Sequence, residues 1–159
     1  MIPVRFCAAL LLLLGGSVAC AQHPYVGANL TLLTDGRYTS PLFGVQVGVP
    51  LGSRLELRGA FETVVLGSSL SADLLYRAPF NTLDVYFGAG PEVLFAPGAT
   101  ITPAQRTPLG YANAGLHAAA GLELRTGSVG IFGEVQPILT LRPARLGYTK
   151  VRSGINVHF

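Results

Sequence analysis

Charged residues, cysteine and tryptophan are scarce in this chain of 159 residues. Asp, Glu, Lys and Arg make up 12% of it, about half the usual share in a soluble globular protein, whereas 50% of the residues are hydrophobic. Beyond the N-terminus there is no run of about 18 apolar residues, which argues against a transmembrane helix in the mature chain. High hydropathy without such a helix leaves an apolar soluble core or a barrel that faces lipid. No basic patch is interleaved with aromatic residues, so nucleic acid is not expected as a partner.

The first residues have the composition of a secretory signal peptide, predicted here to span residues 1–21. Arg5 provides a positive charge, Cys7–Leu14 an apolar segment, and Ala19–Ala21 a cleavage site made of small residues. The alternative is a lipoprotein acylated at Cys20, although the position three residues before it, where lipoprotein signals usually carry Leu, is Ser17. Both cysteines lie in this segment, so no disulfide is expected in residues 22–159, the predicted barrel domain.

The mature chain divides into eight runs in which apolar and polar residues alternate, the pattern of strands with one apolar face. Most are long enough for tilted membrane strands of about 9 to 11 residues. The predicted strands are Tyr25–Leu33, Pro41–Pro50, Arg54–Leu66, Leu70–Ala78, Thr82–Phe95, Tyr111–Arg125, Ser128–Leu141 and Thr149–Phe159.

The connections between these runs are expected to alternate in length. Those after the even-numbered strands suit tight turns, and those after the odd-numbered strands suit longer external loops, as in outer-membrane barrels with short periplasmic turns. The expected short turns are Leu51–Ser53, Pro79–Asn81 and Thr126–Gly127, and the expected loops are Thr34–Ser40, Gly67–Ser69, Ala96–Gly110 and Arg142–Tyr148.

Charge within the strands falls on one face only. Residues of one parity along a strand share a face, and every charged residue of the predicted strands lies opposite the Leu, Val, Ile and Phe residues. Seven acids and six bases are thereby predicted to meet in the interior, where they must pair because unpaired buried charges are costly. They are Arg54, Glu56, Arg58, Glu62, Asp73, Arg77, Asp84, Glu92, Glu123, Arg125, Glu134, Lys150 and Arg152. Arg77 and Asp84 flank a tight turn and are expected to pair across it.

Alternation alone does not say which face points inward. A soluble barrel would put the aliphatic face inside, but glycines crowd the polar face here, which suits a narrow lumen. A charge facing lipid would also be costly. Pro91 and Pro137 interrupt the pattern, and bulges or early strand ends are expected there. Aromatic girdles are thin, with Phe43, Tyr76, Phe95 and Phe159 as candidates.

The last predicted strand places Val151, Ile155, Val157 and Phe159 on its apolar face and ends on phenylalanine. With this strand and seven others like it, the chain resembles the small eight-stranded outer-membrane barrels of the OmpA and OmpX type. The resemblance implies an all-β, antiparallel, up-and-down transmembrane barrel in a bacterial outer membrane, with both termini periplasmic. It implies lipid as a partner, and recognition of the C-terminal strand by the barrel-assembly machinery.

Enzymatic chemistry and cofactors are not expected. His23, His117 and His158 do not lie at ligand spacing from one another or from a cysteine, and no local arrangement of Ser with His is present. His117 is expected to be a hydrogen-bonded interior residue. The function expected is structural, in envelope integrity, or surface interaction through loops such as Ala96–Gly110. The alternatives are a small passive or gated pore and a soluble periplasmic barrel that binds an apolar ligand.

Overall fold

The computed structural model describes residues 23–36, 39–64, 67–96, 111–141 and 144–159, in which the chain forms eight strands. They are β1 (Tyr25–Thr34), β2 (Thr39–Pro50), β3 (Leu55–Val64), β4 (Gly67–Phe80), β5 (Leu83–Ala96), β6 (Tyr111–Thr126), β7 (Val129–Leu141) and β8 (Ala144–His158). Among these residues no helix is long and apolar enough to cross a membrane. The predicted signal peptide, residues 1–21 with Cys20, lies outside the described residues.

The strands form one closed antiparallel barrel in chain order. Each strand pairs with its sequence neighbours, and β8 closes on β1 from the pair Tyr25–His158 to the pair Thr34–Thr149. Closure leaves no strand edge with unpaired backbone groups, which is the condition for a sheet to cross a hydrocarbon layer. The predicted fold class is therefore correct.

The strands are strongly tilted because the register shifts steadily around the barrel. A circuit that starts at Tyr25, the first residue of β1, passes through Gly48, Arg58, Asp73, Gly90, His117 and Ile138 to Tyr148, where the step from Asp73 to Gly90 follows the register of the flanking pairs Ser71–Glu92 and Leu74–Ala89. Tyr148 is adjacent to Thr149, which pairs with Thr34 at the other end of β1. This stagger is the geometry that an eight-stranded sheet needs in order to close.

The two faces of the sheet differ in polarity as the alternation predicts. In β7 buried and exposed residues alternate strictly along all of Val129–Leu141. Large apolar side chains point outward on every strand, among them Val47, Leu57, Leu74 and Ile155. The inner face carries the polar and charged side chains, together with Tyr25, Leu75, Tyr86, Phe132 and Ile138.

Exposed aromatic side chains lie toward both ends of the barrel. Phe43, Phe61 and Phe95 lie near the ends of strands at the side of the 97–110 connection. At the opposite end the Tyr76 and Phe87 rings are 5.3 Å apart, and Phe80 and Phe159 are exposed. Aromatic belts at both ends of an apolar band are typical of barrels that face lipid.

The expectation for the two prolines is wrong at Pro91 and only partly right at Pro137. At Pro91 the strand neither ends nor bulges: the β4–β5 ladder loses two pairs between Ser71–Glu92 and Leu74–Ala89 and resumes in the same register. The β6–β7 ladder opens in the same way beside Pro137, and β7 shifts register against β8 one residue later, between Ile138 and Leu139. A proline removes one donor on one side only, so the neighbour on the other side still holds each strand.

The expectation that every connection after an odd-numbered strand is a longer loop is wrong for two of them. β4 begins at Gly67 and β8 at Ala144, so only residues 65–66 and 142–143 remain as connections where Gly67–Ser69 and Arg142–Tyr148 were expected to be loops. At this end of the barrel the long connection is residues 97–110, which lies outside the described residues. Hydrogen bonding to the neighbouring strand extends β4 and β8 into polar segments that the alternation of hydrophobicity does not cover.

Some inward-facing glycines are required by how closely neighbouring strands approach. A β-carbon built on Gly90 would lie 1.7 Å from the carbonyl oxygen of Ala72, and one on Gly154 would lie 2.2 Å from that of Ala28. No side chain fits at these distances. Glycine therefore permits the strong coiling of a narrow barrel at these points.

Candidate functional site

Eleven of the thirteen predicted interior charges are buried inside the barrel, and Arg54 and Arg125 are partly exposed at the end with the short connections. Arg54 was predicted to begin the third strand but lies in the connection that precedes β3. Arg54 donates a hydrogen bond from Nη1 to the hydroxyl of Tyr76 at 2.7 Å. The charged side chains form two groups that follow one another along the barrel axis.

The first group, here called the central ring, is a closed cycle of eight side chains. Its members, in order of contact, are Arg58, Asp73, His117, Glu92, Lys150, Glu62, Arg152 and Glu134, which in turn contacts Arg58. The eight residues come from the six strands β3 to β8, and each contacts two partners in the ring.

Arg58 and Glu62 make the best-defined contacts within the central ring. Arg58 donates from Nη1 and Nη2 to the two carboxylate oxygens of Glu134 at 2.7 and 3.1 Å, and from Nε to Asp73 at 2.8 Å. Glu62 accepts from Lys150 at 2.7 Å and from Arg152 at 2.8 Å. Charge-assisted hydrogen bonds of this kind are the stronger class.

Three neutral polar side chains complete the surroundings of Glu62. The Thr31 hydroxyl donates to Oε1 at 2.6 Å, the Asn29 amide to Oε1 at 2.8 Å, and the Ser69 hydroxyl to Oε2 at 3.0 Å. None of the three was among the predicted site residues, since a neutral side chain leaves no charge signal. Their strand parity, which places them on the inner face, was the available signal.

The second group, here called the end cluster, lies toward the short connections and is organised by Arg77. Arg77 lies 2.5 Å from Glu56, 2.6 Å from Glu123 and 3.6 Å from Asp84. The predicted pair of Arg77 with Asp84 is therefore present but is the longest of its three ion pairs. Asp84 also pairs with Arg125.

Tyr25 and His158 also belong to the end cluster, although neither was among the predicted site residues. The Tyr25 hydroxyl donates to Glu56 at 2.7 Å, and His158 Nε2 lies 2.7 Å from Glu123. The Tyr25 and His158 rings face each other at 5.1 Å. Their positions at the two chain ends of the barrel gave no sign of the contact, which arises only when β8 pairs with β1.

Tyr86 lies between the two groups. Its ring centroid is 4.8 Å from the guanidinium carbon of Arg77, in the end cluster, and 5.8 Å from that of Arg58, in the central ring. Arginine over an aromatic face is attractive, and more so away from water. The aromatic ring thus fills the space between two like charges.

These contacts cross the lumen as well as running along its wall. Arg58 on β3 and Glu134 on β7 lie on opposite sides of an eight-stranded barrel, and their side chains meet in the middle. An interior of this size is just wide enough for side chains to fill it. At the level of the central ring the lumen is therefore occupied by paired charges.

The described residues include no group of three or more His, Cys, Asp or Glu side chains arranged to hold a metal ion. The carboxylates of both groups are instead taken up by Arg, Lys and His. Such an arrangement can hold the strands in one register and close the lumen, because each charge is satisfied by a partner on another strand.

Comparison with known proteins finds similar solved structures but no relatives by sequence. No family model matches the chain, and no curated protein matches it in sequence. The N-terminal β-barrel domain of Pseudomonas aeruginosa OprF is similar in structure, with a TM-score of 0.66 at 19% identity, covering 87% of this chain and 98% of that one. Neisserial surface protein A has a TM-score of 0.58 at 12% identity, covering 86% and 96%. Ail, the attachment invasion locus protein of Yersinia pestis, in complex with the heparin analogue sucrose octasulfate, has a TM-score of 0.52 at 13% identity, covering 86% and 97%.

These likenesses span nearly the whole of each solved barrel at low sequence identity, so what is shared is the fold. Strand number, antiparallel order and closure agree with the sequence resemblance drawn above. The chain has the closed eight-stranded fold of the small bacterial outer-membrane β-barrels.

Proposed function

We propose that this protein is an integral outer-membrane barrel with a structural role in the cell envelope, and that its lumen is closed. The observation that carries the proposal is the inverted polarity of the barrel: large apolar side chains are exposed on every strand, and paired charges are buried inside. Apolar surface that surrounds a whole molecule is stable against lipid and costly against water.

The polarity also argues against a soluble barrel that carries an apolar ligand. Such a barrel needs an aliphatic interior and a polar exterior. Here the largest fully buried side chains include Arg58, Arg77, Arg152 and Lys150, and an apolar ligand would have to displace their ion pairs. Buried charges deprived of their partners are strongly destabilising.

Membrane insertion is tested by fractionation and gel migration. We expect the protein in the detergent-extracted outer-membrane fraction, with a faster-migrating unheated form that shifts on boiling. A soluble periplasmic fraction containing most of the folded protein would overturn the proposal.

Both termini are proposed to be periplasmic, with the 97–110 connection outside the cell. The support is topological: the first residue of β1 and the last of β8 lie at the end where 51–54, 81–82 and 127–128 connect the strands, and outer-membrane barrels place their short turns in the periplasm. Protease added to intact cells should cut near Arg106. Cutting near Arg54 in intact cells would reverse the orientation.

The closed lumen is tested against the alternative of a pore. Purified protein in planar bilayers should give no discrete current steps, because the paired side chains of Arg58 and Glu134, from opposite strands, meet across the lumen. Reproducible single-channel steps would support the pore instead, with weak ion selectivity from a lining of nearly equal positive and negative charge.

A surface-interaction role would reside in the connections at the outer end. The long connection 97–110 contains three prolines and several threonines, a composition that stiffens a loop and suits recognition. Deleting residues 98–108 should leave insertion and heat-modifiability intact and remove any cell-surface binding. Failure of the deleted protein to insert would show that the connection is needed for folding.

Assembly is proposed to depend on the C-terminal strand through Val151, Ile155, Val157 and Phe159. All four side chains are exposed on the outer face, and the Phe159 N–H donates to the Pro24 carbonyl at 3.0 Å. The exposed Phe159 side chain contributes little to packing within the barrel. Phe159→Ala should therefore lower the amount of inserted protein more than it lowers the stability of the inserted protein. An equal loss of both would make the residue structural.

A further inference from the structure

Four side chains on one side of the lumen have polar atoms without a hydrogen-bond partner among the described residues. These atoms are Oγ of Ser71, Oε2 of Glu92, Nδ1 of His117, and the amide nitrogen and oxygen of Gln136. The four residues belong to β4, β5, β6 and β7, and they are between 0% and 4% exposed. Buried polar atoms are nearly always hydrogen-bonded in folded proteins, so five such atoms on neighbouring strands indicate a bound partner.

The register of the barrel brings these four side chains together. Ser71 and Glu92 are direct partners across β4 and β5, and Nδ1 of His117 lies 3.6 Å from Oε2 of Glu92. Gln136 lies two residues before Ile138, which is the register partner of His117. Register partners and their diagonal neighbours on one face of a sheet are within reach of each other. The unpartnered atoms therefore face one region of the lumen, between β4 and β7.

The wall of the barrel is interrupted beside Gln136. The next residue, Pro137, has no N–H to donate toward β6, and the β6–β7 ladder is lost at this point. The register places Ala118 opposite Pro137, so the Ala118 carbonyl loses its ladder donor. Ordered water is one of the partners that satisfy buried backbone groups outside a ladder.

We propose that this region of the lumen is a buried water site, in which one or more water molecules bridge Ser71, Glu92, His117 and Gln136. Water both donates and accepts hydrogen bonds, so it can donate to the carboxylate of Glu92 and accept from the amide nitrogen of Gln136. It also suits either tautomer of His117. The 3.6 Å between Nδ1 and Oε2 is too long for a hydrogen bond, but a water about 2.8 Å from each atom joins them.

A metal ion fits the same atoms less well than water does. The Lys150 ammonium group contacts Oε1 of Glu92, and Lys150 is also the register partner of Gln136. A cation bound at Oε2 of Glu92 would therefore lie close to a like charge in a region of low dielectric constant. Water adds no charge to the site.

The water site goes beyond the proposed closed lumen and does not rest on it. Arg58 and Glu134, whose contact crosses the lumen, are not among its four residues. Current steps in planar bilayers would overturn the closed lumen, whereas the water site has a test of its own.

The direct test is a crystal structure of the wild-type mature barrel, at a resolution at which ordered water is visible. We expect density for water at about 2.7–3.2 Å from at least two of Oε2 of Glu92, Nδ1 of His117 and the Gln136 amide. Side chains that hydrogen-bond directly to one another, with no density between them, would overturn the proposal. So would a peak held by oxygen atoms alone at about 2.3–2.6 Å, the distances of a bound cation such as Ca²⁺.

Gln136→Met provides the second measurement, because it removes the amide and keeps a side chain of similar length. If the amide is dry and unpartnered, methionine removes a cost and stabilises the barrel. If the amide binds water, the ratio of folded to unfolded protein should fall roughly five- to tenfold, the change expected for one hydrogen bond. Urea unfolding in lipid vesicles distinguishes the two, and an unchanged or increased ratio would overturn the proposal.

Gln46→Met is the matched control on the other side of the lumen. Gln46 is also buried, but its amide donates directly to Asn156 at 2.7 Å. Its replacement should lower stability and leave the water density beside Glu92 unchanged, whereas Gln136→Met should lose or displace that density. Loss of the water in Gln46→Met would overturn the assignment of the site to its four residues. If Gln136→Met does not fold, the wild-type structure decides.

Discussion

Arg58 on β3 and Glu134 on β7 form a two-pronged ion pair across the full width of the barrel, with N–O distances of 2.7 and 3.1 Å. The two residues are 76 positions apart in the chain. Both side chains are buried, so neither charge can be satisfied by water if the other is removed.

Removal of one partner should therefore be costly, because the other charge stays buried with fewer partners. Arg58→Met is expected to lower the unfolding free energy by about 3–5 kcal/mol, because it leaves Glu134 and Asp73 with fewer counter-charges. The double variant Arg58→Met with Glu134→Gln should lose less than the sum of the single variants. The measurement is a double-mutant cycle from urea unfolding in lipid vesicles.

Arg125 provides the control for this cycle. Its side chain is 20% exposed and pairs with Asp84 at the end of the barrel, and Asp84 keeps a second contact with Arg77 at 3.6 Å, so Arg125→Met should cost clearly less than Arg58→Met. A loss as large as that of Arg58→Met would mean that position along the lumen does not set the energy of these pairs.

The same ion pair should decide whether the barrel conducts. Replacing Arg58 and Glu134 together by serine removes the contact that crosses the lumen, and the double variant is expected to show current steps in planar bilayers where the wild type shows none. If the variant inserts, is heat-modifiable and remains silent, the other contacts of the central ring are sufficient to close the lumen.

The apolar outer face should tolerate charge according to depth. Leu74, in the middle of β4, and Leu124, near the end of β6, are 51% and 52% exposed on that face. Leu74→Arg is expected to lower the unfolding free energy in lipid by about 2–4 kcal/mol and Leu124→Arg by about 0–1 kcal/mol. Equal effects, or no effect at Leu74, would contradict a bilayer around this face.

Gly90 on the inner face of β5 and Gly59 on the outer face of β3 should respond differently to an added methyl group. At Gly90 the added carbon would lie 1.7 Å from a backbone oxygen of Ala72, whereas at Gly59 nothing lies within 4 Å. Gly90→Ala should lower the unfolding free energy by at least about 1–3 kcal/mol, the usual cost of overpacking, and Gly59→Ala should be neutral. Thermal unfolding followed by gel migration distinguishes them, and a tolerated Gly90→Ala would show that β4 and β5 can separate there.

The bounds of most strands were predictable from alternation. The predicted and observed strands agree within about three residues from β1 to β7, since apolar and polar residues alternate along each one. β8 is the exception, because it begins at Ala144 instead of Thr149. Its first residues lack alternation and belong to the strand only through pairing with β7, which also absorbs the register shift after Ile138.

Alternation also determined the facing of Glu56, Asp73 and Glu134, because a strand offers each residue only two sides. It carried no information about their partners. Glu62 pairs with Lys150 and Arg152, which lie 88 and 90 positions away, and His158 reaches Glu123 only because β8 closes on β1. A partner across a lumen depends on the stagger of the strands in between, to which every turn and bulge contributes. The sequence by itself determined which residues point inward and that the barrel is apolar outside, whereas only the closed tertiary structure decided which charges meet.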